Sequence, residues 1–83
     1  MNNQKFQVSQ IYLVDLFYHN YSNTALVVTK LSKNHFHYYT LNRPTITESA
    51  AIDSPFTKYI TYYATASSPN LADIQSEHPE LFI

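Results

Sequence analysis

The sequence predicts a mostly β fold of the α+β kind: a small antiparallel barrel of about four to five strands with a short C-terminal helix. Three observations carry that expectation. Runs rich in β-branched and aromatic residues recur at short spacing over 11–18, 24–31 and 35–41. Apolar residues occupy both alternating faces of the first two runs, so those strands are expected to be buried on two sides. Ser-Pro pairs at 54–55 and 68–69 punctuate the later half, where new elements are expected to start.

With 83 residues, 45% of them apolar and only 13% charged, the chain reads as one small folded domain, 1–83. The charged share is about half the usual one, which excludes a self-repelling disordered polymer. Aromatics reach 16%, eight Tyr and five Phe, and such rings supply core area that a short chain cannot collect from aliphatics alone. The lack of Cys excludes disulfides, thiolate metal sites and a cysteine nucleophile. The lack of Gly excludes glycine-built phosphate loops and nucleophile elbows. It also moves any left-handed turn onto Asn, with Asn20, Asn23, Asn34 and Asn42 in candidate positions. A formal net charge of −1 suits neither an electrostatically driven nucleic-acid binder nor an acidic mimic of one.

The elements follow in order. Residues 1–10, "MNNQKFQVSQ", are polar and read as a loose lead-in without the apolar centre of a secretory signal. No run is long enough to span a membrane, so a cytoplasmic location is expected. Asn20-Tyr21-Ser22 matches a glycosylation sequon, a pattern that an Asn-rich chain produces by chance. "IYLVDLFY" (11–18) reads as a strand, "HNYSN" (19–23) as a turn, and "TALVVTKL" (24–31) as a second strand.

Lys33-Asn34 is then expected to turn the chain into a third strand over 35–41, with Asn34 taking the positive φ. That turn sets Leu31 against Phe36, Thr29 against Tyr38 and Val27 against Thr40 on one face. Lys30 with His37, Val28 with Tyr39 and Leu26 with Leu41 fill the other; a three-residue turn would exchange the faces. Residues 42–55 read as a polar connection. The segment 54–66 is ambiguous. Ser54-Pro55 suits a helix start with Phe56, Tyr59, Ile60 and Tyr63 as a stripe, whereas its Thr, Ile and Tyr content favours a strand, the preferred reading. Residues 67–83 read as a helix and tail: Ser68 caps, Pro69 starts, Leu71, Ala72 and Ile74 face inward, and Pro79 ends it.

The spacing of these strands, and "ALVVTKLSKNHFHYYTL" in particular, resembles the small SH3-like barrels embedded in many bacterial and phage proteins. The resemblance implies a fold and no binding residue, because no functional motif of such barrels is matched.

His35 and His37 lie two apart and project from one face of the expected strand, a spacing that can supply two metal ligands. With no Cys and no third ligand at a recognisable spacing, although His19 lies in the preceding loop, metal binding is not the expected role, and no cofactor is expected. The eight tyrosines divide among three uses: core, protein contact and base stacking. Stacking normally comes with a basic groove, and only Lys5, Lys30, Lys33, Arg43 and Lys58 are available. The candidate contact residues are His35, His37, Tyr39, Lys30, Tyr18 and Tyr21. Carboxylates are scattered, and a small barrel leaves little room for a substrate cavity, so no enzyme is expected. "SEHPELFI" at the C-terminus reads as a tail closing the barrel mouth, or as a segment presented to a partner.

Taken together, the residues suit a non-catalytic protein-binding module that works through a Tyr- and His-rich sheet face. Residue usage that draws on Asn, Tyr, Lys and Ile with no Gly suits an accessory or inhibitor protein of a phage or plasmid. The alternative is a weak binder of single-stranded nucleic acid. Exposed rings on a two-sided hairpin also leave room for self-association.

Overall fold

The computed structural model describes residues 5–14 and 25–82. Five strands appear in it: β1 (Gln10–Val14), β2 (Ala25–Leu31), β3 (His35–Thr40), β4 (Arg43–Ala51) and β5 (Ile60–Thr65). A 3-10 helix over Pro55–Tyr59 precedes β5, helix α1 spans Leu71–Glu77, and a second 3-10 helix covers Pro79–Phe82. The strands form one antiparallel sheet in the order β4-β3-β2-β1-β5. The fold is thus mostly β with one short C-terminal α-helix. The sheet is open, with β4 and β5 at its edges, and the expected closure into a barrel is not seen.

The β2–β3 hairpin shows how register divides the side chains. Leu31 pairs with Phe36 and Lys30 with His37, as a two-residue turn at Lys33-Asn34 requires. The backbone N–H of Ser32 donates to the His35 carbonyl at 3.0 Å and closes that turn. Beyond it the expected regular ladder gives way. One extra residue on β2, Thr29, is taken up as a bulge, and the pairs become Val28 with Tyr38, Val27 with Tyr39 and Leu26 with Thr40. Packing explains the shift. Leu26 and Val28 join Phe36 and Tyr38 in one core cluster, while Ala25 and Val27 join Tyr39 in the other.

Each sheet face therefore carries a core cluster. The first cluster holds Phe6, Tyr12, Val14, Leu26, Val28, Phe36 and Tyr38, with Phe56, Ile52 and Ile60 packed against it. The second holds Ile11, Ala25, Val27, Tyr39, Ala66 and Ile74, under Leu71 and Leu81. Helix α1 presents Ile74 and Leu71 to this second face, while Ala72 is exposed, which corrects its inward assignment. Its N-cap is Asn70, with Ser68 just outside: the Ser68 hydroxyl accepts from the Asn70 N–H at 3.2 Å and bonds the Asp73 carboxylate.

Four further expectations are corrected. The lead-in is not loose at its inner end. Phe6 is 1% exposed and stacks on Phe36 with ring centroids 4.1 Å apart. Residues 42–55 are not a plain connection, because β4 occupies most of them. As an edge strand with little burial it has no alternation to betray it, and an edge tolerates Pro44. The segment 54–66 divides: the Ser54 hydroxyl accepts from the Phe56 N–H at 3.2 Å and starts the 3-10 turn, and β5 follows from Ile60. Among the described residues the positive φ belongs to Ser9, at 75°, and not to Asn34 or Asn42. Asn20 and Asn23, residues 15–18 of the first expected strand and the 19–23 turn lie outside the described residues.

Candidate functional site

Three of the six candidate contact residues come together on one face of the sheet. Cross-strand partners in an antiparallel pair point the same way, so the Lys30–His37 pair and the His37–Ser49 pair place Lys30, His37 and Ser49 side by side. His35, two residues before His37, lies on the same side and pairs with Ala51 of β4. Lys30 and His35 are exposed and His37 is half-buried. The flanking β4 side chains, Ser49 and Ala51, are small, which leaves the imidazoles accessible. Behind them the Thr29 hydroxyl donates to the His37 carbonyl at 3.3 Å and fastens the bulge to β3.

The far end of the same face is closed. Tyr39 is 7% exposed, and its hydroxyl donates to the Pro69 carbonyl at 2.8 Å beneath the start of α1. Burial pushes that phenol above its ordinary pKa. Tyr39 thus supports the helix and is out of reach of a partner. Tyr18 and Tyr21 lie outside the described residues.

The exposed tyrosines are instead on and beside β5. Tyr59, Tyr62 and Tyr63 are all at least 38% exposed. Tyr62 packs edge-on against Tyr12 with centroids 5.8 Å apart, and its hydroxyl bonds the Thr65 hydroxyl at 2.7 Å. Tyr63 donates to the Glu80 carboxylate at 2.6 Å, and Nδ1 of His78 lies 3.4 Å from the same oxygen. The phenol bond, first, and the neighbouring His78 hold Glu80 below the usual carboxylate range; Tyr63 is raised by giving that bond. Glu77 is likewise lowered, mainly by the Ser67 hydroxyl and backbone N–H. These contacts tie the C-terminal segment to the edge strand. Leu81 docks on the second core cluster, while Phe82 is 37% exposed. A composition-level reading of the tyrosines could not have singled out this edge. Its signal was the closeness of Tyr59, Tyr62 and Tyr63 to Ser54-Pro55, which marks the start of a new element, the 3-10 turn that leads into β5, outside the central hairpin.

Charge on the second face is segregated. Asp73, Glu77 and Glu80 lie in α1 and the tail at one end, while Lys30 lies with the two histidines at the other. Among the described residues, the contact between a basic and an acidic side chain within 4.0 Å is that of His78 with Glu80, so neither Lys30 nor Lys33 is paired there. No three His, Asp or Glu side chains gather into a metal-holding group among the described residues. A shallow depression of about 240 Å³, lined by Lys33, Asn34, Ile52 and Asp53, lies by the β2–β3 turn; ligand pockets for small molecules usually start near 300 Å³. No helix among the described residues is long and apolar enough to cross a membrane.

No protein family matches the chain, and comparison with curated proteins and with solved structures gives no match.

Proposed function

We propose that the chain is a non-catalytic protein-binding module whose contact surface is the sheet face around Lys30, His35 and His37. The observation that carries this reading is the partial cover of the second face. Helix α1 and the tail overlie Ile11, Val27 and Tyr39, and beyond them the face continues as three cation-capable side chains over small neighbours. A Tyr39 contact drops out of the proposal, and the surface is His-rich more than Tyr-rich. An accessory or inhibitor protein of a phage or plasmid, acting in the cytoplasm, is the setting that the residue usage suits. The SH3-like reading of the fold belongs to the same proposal: residues 52–59 join the two edge strands, and pairing β4 with β5 is the step that would close the sheet.

Affinity capture from the native host tests the surface. Wild type and Gln75→Glu, a change on an exposed position of α1, are expected to retain one common protein, and Lys30→Glu/His35→Glu to lose it. Retention of that protein by the double variant, or capture by neither control, counts against the proposal.

A further inference from the structure

We infer that the Lys30–His35–His37 surface receives an acidic segment of a protein partner and takes up protons as it does so. This rests on the contact surface proposed above and names the chemistry of its partner.

The first support is positional. Continuing the interior β2 pairing regularly toward the turn would set Lys30 against Phe36, in the core. The bulge at Thr29 prevents this. It turns Lys30 out beside His37 and lets Leu31 pack with Phe36. Bulges commonly re-aim a side chain at functional places, and this one delivers the single ammonium group to the two imidazoles.

The second support is electrostatic. The groups facing His37 are Lys30 from β2 and Ser49 from β4; facing His35 is Ala51 of β4, with Ser32 across the turn. Glu48, next along β4, pairs with Tyr38 on the opposite face, and Asp53 lies past the strand end beside Lys33. No described carboxylate is within 4.0 Å of Lys30, His35 or His37. The acids of this face sit under and around α1, where Ser67, Ser68 and Tyr63 already engage them. Among the described residues, the open end thus gathers one ammonium and two imidazoles with no carboxylate in ion-pair contact.

Bringing carboxylates to it favours the charged imidazole, so binding and proton uptake are linked. The sign follows: the partner raises the proton affinity of the bound imidazoles. The gain in affinity is present on the acidic side of the imidazole range and lost as pH rises through it.

A Glu–Ser repeat peptide, its Gln–Ser twin and an oligothymidine are the probes, each titrated at about pH 5.5 and about pH 7.5, either side of the imidazole range. Wild type is expected to bind the acidic peptide on the order of tenfold tighter at the lower pH, and the twin weakly at both. His35→Gln/His37→Gln is expected to abolish that pH-dependent gain, Lys30→Met to weaken binding at both pH values, and His78→Gln to leave the gain intact. Circular dichroism checks that each variant folds; should the double variant not fold, His35→Gln at its exposed position is expected to remove part of the gain. Binding independent of pH, equal binding of the twin, or a gain that survives loss of both histidines overturns the inference. Oligothymidine bound more tightly than the peptide overturns it in favour of nucleic acid. If the peptide result is negative while Lys30→Glu/His35→Glu still loses a captured protein, the contact surface stands and only its acidic partner falls. If that variant loses nothing, both fall.

Discussion

Ser9 does what glycine does in most chains. Its φ of 75° lies in the left-handed region, where a Cβ crowds the following carbonyl oxygen. Two bonds hold it there: its N–H donates to the Val28 carbonyl at 2.8 Å, and its carbonyl accepts from the Ala66 N–H at 3.0 Å. Ser9→Gly relieves the crowding and is expected to raise stability by roughly 0.5–1 kcal/mol, a rise of a few degrees in Tm. Ser9→Val is expected to lower it, and equal melting of the three proteins would refute this account. Tyr12 gives the fold an alkaline limit. Its hydroxyl donates to the Lys5 carbonyl at 3.0 Å and lies against the Gln10 amide oxygen, and burial followed by the Tyr62 phenol pushes it up to about 12. A raised pKa contributes stability that is complete below the unfolded value, about 10, and is lost as pH climbs toward 12. Denaturant midpoints measured across that window are expected to fall in wild type and to stay flatter in Tyr12→Phe. Residue by residue, the sequence revealed His35, His37 and Lys30 through their spacing and cross-strand partners. It could not reveal that Tyr39 is spent on Pro69, because that bond joins positions thirty apart.

Among the elements, those with two different faces were legible and those without were not. The alternation of β3 separates Phe36 and Tyr38 from His37 and Tyr39 in both sequence and structure. β4 shows little burial on either side, so its Thr45, Ile46 and Thr47 gave only a propensity signal, and propensity alone is weak. The 3-10 turn and β5 share a segment whose start was read correctly by capping and whose end by composition; neither rule held for the whole. The bulge at Thr29 was illegible because it answers to two cores at once. It carries a sharp prediction. Deleting one residue from a strand normally sends the side chains beyond it to the opposite faces. Deleting Thr29 should instead leave a regular ladder with Leu31 on Phe36 and Val28 on Tyr38, lowering stability by only about 1 kcal/mol. Deleting Val28 puts Thr29 at its fully buried place and should cost more. Melting temperatures of the two deletions compare them directly, and a Thr29 deletion that is the worse of the pair refutes the bulge assignment.

For the molecule as a whole, stability depends on the segment before β1. Phe6 touches the rings of Phe36 and Tyr12 and completes the first core cluster, with Lys5 Nζ 5.6 Å from its ring centroid. Phe6→Ala is expected to remove about 3–5 kcal/mol, a large part of what holds any domain of this size. Urea unfolding would show the midpoint collapse; a shift equivalent to under about 1 kcal/mol would mean that the ring is dispensable. The order of the strands has one more consequence, which concerns how the chain is made. β2, β3 and β4 follow one another and can pair as they leave the ribosome, but β1 lies between β2 and β5, and Gln10 must wait for Thr65. At about 5–20 residues per second, several seconds of synthesis pass with the fifth strand still missing. During that interval one side of β1 has no neighbour, which makes the nascent chain, more than the finished protein, the state that needs chaperone protection.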